Sequence, residues 1–400
     1  MRKKLLQTGA DELSYEIRGI VKKAEQLKKL GKSIRWENIG DPVQKGAKLP
    51  QWIKDTISEL TQQDDTYGYC HSKGVLETRQ FLAEKNNALG GVQITEDDIL
   101  FFNGLGDAIA KIYQYLLPQA RIIGPSPAYS THSSAEAAHA NDSPITYHLD
   151  PQNNWYPDMD DLYLKVKYNP NIVGILIINP DNPTGMVYPL EILNRFVEIA
   201  REFDLFLISD EIYINVTYNG SNAYSLPEYI EEVPGIALKG LSKEVPWPGS
   251  RCGWAKFYNK DTSAEFSKLC TTLENAKMIE VSSTKLPQLA IPKIMGDLRY
   301  PDHLKTNNEK IGRRSKLISE ILSTNKNIYF NPTSGAFYNT IVFKEGLLTN
   351  EQTLRVDDPE VKQVVEGWVD QPDVLPDKRF VYYLLAAKGI CVVPISSFCS

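Results

Sequence analysis

Four hundred residues exceed one ordinary domain, and a composition of 42% hydrophobic and 24% charged residues is that of a globular protein. The formal net charge of −6, spread without long runs of either sign, leaves no basic stripe to neutralise phosphates and excludes nucleic acid as an expected partner. Five scattered cysteines without a CxxC pair, a first segment without a leader-like apolar core, and no run of the ~18 apolar residues that a membrane span needs all point to a reducing cytoplasm.

In chain order, residues 14–30 read as a helix, with Ile20, Ala24, Leu27 and Leu30 in register and a stop at Gly31. From about residue 97, short apolar runs alternate with amphipathic stretches, the pattern of a parallel α/β sheet. The runs at 99–102, 121–123, 172–178, 205–209 and 235–238 are the predicted strands. Leu190, Leu193, Phe196, Val197 and Ala200 share one helical face, which predicts a crossover helix covering the sheet. Beyond about residue 290 the pattern mixes a helix at 308–322, a strand at 335–342, a polar and acidic stretch through Asp377, and an apolar run at 390–393. The prediction is an α/β chain: a large domain over 46–290 with a mixed, mostly parallel sheet flanked by helices, and a smaller α+β domain over 291–400. An arm over 1–45 belongs in part to the smaller domain.

Ligands of open α/β sheets bind beyond the carboxyl ends of the strands, so the residues just after each run carry the information. These are Asn103-Gly104-Leu105-Gly106-Asp107 leading into the helix at 108–116, then Asn179-Pro180-Asp181-Asn182-Pro183-Thr184-Gly185. They are followed by Asp210, Glu211 and Tyr213, and by Ser242 and Lys243. Singly, each has an ordinary explanation as a turn, a cap or a surface charge. Together they match the demands of pyridoxal 5′-phosphate. Lys243 supplies an amine for a Schiff base, Asp210 a carboxylate for the ring nitrogen, and Asn182 and Tyr213 donors for the phenolic oxygen. Arg251 and the turn at 104–107 form a phosphate cup, and Tyr129 an aromatic platform. The five histidines show no metal-ligand spacing, and no metal is expected.

At NPDNPTG (179–185), SDEIY (209–213) and GLSKEVPWPGSRCGW (240–254) the sequence resembles the fold-type I, class I/II aminotransferases, from about residue 14 to the end. In that family the lysine and the phosphate-binding arginine stand eight residues apart, as Lys243 and Arg251 do. The resemblance implies an aspartate-aminotransferase-like fold and transfer of an amino group between an amino acid and a 2-oxo acid in a ping-pong cycle. Lys243 would hold the cofactor and shuttle the Cα proton. Asp210 would pair with the pyridinium nitrogen, and Asn182 and Tyr213 with the phenolate. Tyr129 would stack on the ring, Leu105, Gly106 and Arg251 would bind phosphate, and Ser242 would bind the cofactor. Gly40 in NIGDP (38–42) would line the substrate carboxylate pocket. Tyr69 in GYCHSKG (68–74) matches the tyrosine that reaches the neighbouring subunit's phosphate, which implies a homodimer with shared sites.

SYEIRG (14–19), NIGDP and GYCHSKG look most like alanine aminotransferases, in which Tyr15 and Arg18 would lie over the site as part of a lid. On the same scaffold the alternatives are a C–S lyase or an aminocyclopropane carboxylate synthase-like enzyme and, more remotely, a non-catalytic cofactor-binding sensor. Glu244 departs from the pattern by placing an acid directly after the lysine, with the expectation that it alters the charge there. Lys285 falls in a region that approaches the partner's site in relatives. Relatives carry their carboxylate-binding arginine some tens of residues beyond a segment like VVPISSF (392–398), and Arg379 does not match that place. The expectation is a natural C-terminus beyond Ser400, the alternative being another mode of carboxylate binding.

Overall fold

The structure, a computed structural model, describes residues 6, 9–10, 16–372 and 374–398, with the backbone alone for 16–18. Its centre is an eight-stranded sheet. In chain order the strands are β1 (Ile99–Phe102), β2 (Arg121–Ser126), β3 (Thr146–Asp150), β4 (Tyr156–Pro157), β5 (Ile172–Ile178), β6 (Phe206–Asp210), β7 (Gly235–Gly240) and β8 (Gly253–Tyr258). They lie side by side as β1-β8-β7-β6-β5-β2-β3-β4. Strands β7, β6, β5, β2 and β3 are mutually parallel. Strand β8 is antiparallel to both of its neighbours, β7 and β1, so β1 again points with the majority. The carboxyl ends of β1, β2, β5, β6 and β7 therefore share one edge with the amino end of β8.

Helices cover both faces, which is why the central strands read as unbroken apolar runs. Side chains alternate between faces: Ile99 and Phe101 enter one buried cluster, Leu100 and Phe102 the other. The first cluster is closed by helices that include Leu190–Glu202 and Lys285–Met295, the second by Leu105–Gln114 and Ala264–Ile279. Strands β3, β4 and β8 were not predicted. TYHLD at 146–150 carries polar residues at alternate, outward positions, and GWAKFY at 253–258 lies inside a stretch whose signal is its chemistry.

A third cluster joins Ile20, Ala24 and Leu27 of the helix Glu16–Lys29 to Val361, Val365 and Val369 of Pro359–Val369 and to Leu385 and Ala386 of Pro376–Lys388. Arg35–Trp36 pairs in parallel with Ile390–Cys391. Burial of Ile20 and Leu27 contributes roughly 3–6 kcal/mol, more than the ~1–2 kcal/mol from Lys23 lying 4.7 Å over the Trp368 ring and 4.6 Å over Tyr382. Apolar docking thus holds the N-terminal helix, and the lysine fixes its rotation.

The helix expected at 308–322 begins earlier, at Tyr300, with Pro301 in its first turn. The strand expected at 335–342 is not formed. Residues 333–340 run as an irregular strap whose amides bond outward: Ser334 and Gly335 N to Gly185 O (both 3.0 Å) and Ala336 N to Val216 O (2.9 Å). Only Val342–Phe343 is a strand, antiparallel to Ile328–Tyr329.

Candidate active site

A cavity of about 1200 Å³ opens at the shared edge of the sheet, between it and the segments 37–44, 338–348 and 377–398. Lys243, Ser242, Asp210, Tyr213 and Asn182, each at or just beyond the carboxyl end of a parallel strand, line it on the sheet side. So do Arg251, Leu105, Gly106 and Tyr129, with Gly40 opposite. Tyr69 is elsewhere: it is 82% exposed and does not reach this chain's cavity. Tyr15 and the side chain of Arg18 lie outside the described residues.

Of the two lysines that line the cavity among the described residues, Lys344 is exposed and Lys243 is half-buried. Its Nζ donates to Gly40 O at 2.7 Å and lies 5.6 Å from the ring centroids of both Tyr213 and Phe337. Burial lowers its pKa to about 8, although the carboxylates of Asp41 and Asp210 pull the other way. An amine so placed is roughly one-tenth neutral and nucleophilic at pH 7, far more than an exposed lysine.

Asp210 ends β6 and is buried. Its Oδ1 accepts from Ile212 N at 3.1 Å, and its Oδ2 faces His132 Nε2 at 3.0 Å. His132 was not singled out from sequence; only the packing of the helix Ser130–Ala140 beneath the sheet edge brings it there. Its Nδ1 is buried without a hydrogen-bond partner. Tyr213, also buried, meets the Tyr338 hydroxyl at 2.6 Å; burial, then Tyr338, push its phenol pKa well up, so Tyr213 keeps its proton to donate. Tyr338 had no sequence signal either, because the strap that carries it was read as a strand.

The phosphate cup is built on backbone. Gly104 adopts φ +90° ahead of the helix Leu105–Gln114, whose first amides face the cavity without intrahelical partners. Arg251, itself left-handed at φ 48°, reaches across β8 to lay its guanidinium against Gly104: Nη1 donates to Pro248 O at 3.2 Å and Nη2 to Asn103 O at 3.5 Å. A Cβ on Gly104 would stand 2.4 Å from Nη2, so the position admits only glycine while the arginine is in place.

These groups fit pyridoxal phosphate: a partly neutral amine, a buried carboxylate, a protonated phenol, and an anion cup of amides and guanidinium converge on one cavity. One expectation is corrected. Glu244 does not face the lysine. It is buried and turned inward, where Oε2 accepts from Asn215 Nδ2 (2.6 Å) and lies 3.6 Å from Lys239 Nζ, and Oε1 accepts from the Tyr300 hydroxyl (3.0 Å). Lys285 pairs with Asp65 at 2.8 Å. Arg379 is tied to the carbonyls of Gln352 and Val369, away from the cavity.

The comparisons with known proteins identify the family. An aminotransferase of uncharacterized activity from Methanocaldococcus jannaschii is 54% identical over 400 residues, covering all of this chain and 92% of that protein. The glutamate-pyruvate aminotransferase of Escherichia coli K12 is 33% identical over 246 residues, 61% of this chain and 60% of that one. The solved structure of an alanine aminotransferase from Pyrococcus furiosus superposes with a TM-score of 0.84 at 27% identity, over 99% of this chain and 92% of that chain. The sequence pattern of aminotransferase classes I and II matches residues 38–400, and the chain belongs to that family of pyridoxal phosphate-dependent enzymes.

Proposed function

We propose that this aminotransferase exchanges an amino group between alanine and 2-oxoglutarate, with Lys243 as the cofactor-holding and proton-moving residue. The observation that carries the role of Lys243 is its place: a lysine beyond β7, amine lowered to about 8, in the same cavity as Asp210, Tyr213, Asn182 and Arg251. Alanine specificity is supported by the names of the Escherichia coli glutamate-pyruvate aminotransferase and the Pyrococcus furiosus alanine aminotransferase and by the motifs at 14–19, 38–42 and 68–74.

Bound pyridoxal phosphate supplies the aldehyde that takes up the amino group and the ring that accepts the electron pair left when Cα loses its proton. Lys243 would hold the cofactor through its amine, and the same amine would move the proton from Cα of the bound amino acid. Asp210 keeps a proton on the ring nitrogen, with His132 fixing the carboxylate. Asn182 and Tyr213 donate to the phenolate, Tyr129 covers the ring face, and Arg251, Ser242 and the amides of Leu105 and Gly106 bind the phosphate. Gly40 borders the space for the substrate carboxylate; Tyr15 and the side chain of Arg18, outside the described residues, keep their reading from sequence as a lid.

The reading extends to a homodimer. Tyr69 is exposed beside the exposed Tyr67, and as a phosphate donor it serves the partner's cavity. Cytoplasmic residence is supported by free thiols at Cys70, Cys252, Cys270 and Cys391; among the described residues no helix is long and apolar enough to cross a membrane. The test follows the visible band of the bound cofactor while single amino acids are added. Alanine and glutamate each bleach it, and two-substrate kinetics give parallel lines. Intersecting lines, or pyruvate released from cysteine conjugates without an amino acceptor, contradict the proposal.

A further inference from the structure

The strap 333–340 is fastened at once to both loops that carry the proposed phenolate donors. Ser334 and Gly335 N bond Gly185 O, and Thr340 Oγ1 donates to Pro183 O at 2.7 Å, which ties the strap to the Asn182 loop. Ala336 N bonds Val216 O, which ties it to the turn after Tyr213. Ala336 holds φ +52°, an unfavourable conformation for a residue with a Cβ, retained where its surroundings over-determine it. The strap carries Tyr338, whose hydroxyl stands 2.6 Å from that of Tyr213. A Cβ on Gly40 would come within 2.6 Å of the same oxygen, so Tyr338 is also pressed against the segment whose carbonyl holds Lys243.

We infer that Tyr338 is a positioning residue for transamination, acting on the cofactor through Tyr213. The inference rests on the reading of Tyr213 as the phenolate donor. Each hydroxyl has one proton to give. When Tyr213 gives its own to the phenolate, the contact with Tyr338 persists only if Tyr338 donates to the Tyr213 oxygen. The order is then Tyr338 to Tyr213 to phenolate, and donation to Tyr213 polarises its O–H and strengthens the second bond. A better-stabilised phenolate holds less tightly the proton it shares with the Lys243 nitrogen. Tyr338 thereby lowers the pH at which the lysine-linked cofactor loses that proton. The titratable and charged groups facing Tyr213 are Tyr338, Tyr129, Asp210 and Lys243; of these, Tyr338 is the one in hydrogen-bond contact with its hydroxyl.

The test is a spectrophotometric pH titration of the visible band in holoenzyme carrying Tyr338→Phe, Tyr213→Phe, or both. Phenylalanine keeps the ring that packs 4.9 Å from Phe337 and 5.7 Å from Tyr213, and an intact visible band reports a folded, loaded site. Tyr338→Phe raises the midpoint by about half a pH unit, and Tyr213→Phe raises it by about one unit or more. The double variant matches Tyr213→Phe, because the inferred effect of Tyr338 passes through the Tyr213 hydroxyl, which is already gone. A shift with Tyr213→Phe and none with Tyr338→Phe overturns the inference and leaves the role of Tyr213 standing. No shift with Tyr213→Phe overturns both. A double variant shifted by the sum of the two shows Tyr338 acting directly on the cofactor, and also overturns the relay.

Discussion

Gly104→Ala separates the phosphate cup from the stability of the fold. The glycine sits at φ +90°, ψ 164°, a conformation that an alanine adopts at a cost of about 1–3 kcal/mol. The new Cβ would lie 2.4 Å from Arg251 Nη2 and 2.9 Å from its Cζ. The guanidinium is the far end of a flexible side chain, so the backbone stays and the arginine swings away. Its charge-assisted contact with phosphate is then weakened or lost, worth about 1.5–3 kcal/mol, or roughly 10- to 150-fold in cofactor Kd. Titrating apoprotein with pyridoxal phosphate and following the visible band measures the affinity, and urea unfolding of the apoprotein measures the strain. Inorganic phosphate as a competitor should lose its effect in the same proportion. An affinity within about twofold of the wild type, alongside a destabilised fold, would refute the placement of Arg251 in the cup.

Reconstitution of the apoprotein should quicken with pH about a midpoint near 8: the neutral amine of Lys243 attacks the aldehyde, and burial has brought its pKa down from 10.5. Asp41→Asn removes one of the two carboxylates that oppose this shift and moves the midpoint lower still; a midpoint near 10 in the wild type would mean an exposed lysine. Glu244→Ala strips the buried acid from Asn215, Tyr300 and Lys239 and costs about 3 kcal/mol, read as an earlier urea midpoint. Because the carboxylate points inward, the reconstitution midpoint should stay within about 0.3 pH units; a larger move would restore Glu244 to the surroundings of the lysine.

The strands that position the site were legible because they are buried on both faces: 99–102 and 172–178 coincide with β1 and β5, and the other three predicted runs overlap β2, β6 and β7. Lys243, Asp210, Asn182 and Tyr213 were legible because parallel strands deliver whatever follows them to one edge. The edge pair β3 and β4 was not, since alternation with polar residues resembles loop sequence. His132 and Tyr338 escaped for a different reason. One lies within a helix and the other on an irregular strap, and their place in the cavity depends on tertiary packing that no local period encodes. Glu244 shows the opposite failure: adjacency to Lys243 in the chain suggested adjacency in space, but its carboxylate turns inward to Asn215 and Tyr300 while Lys243 lines the cavity.

Borohydride reduction of the holoenzyme, followed by peptide mass spectrometry, tests the central claim most directly, because it fixes the cofactor to whichever amine holds it. The account predicts the pyridoxyl adduct on Lys243 and its absence after prior addition of alanine. An adduct on another lysine, such as Lys239 or Lys285, or an adduct on Lys243 untouched by every amino donor, would contradict it.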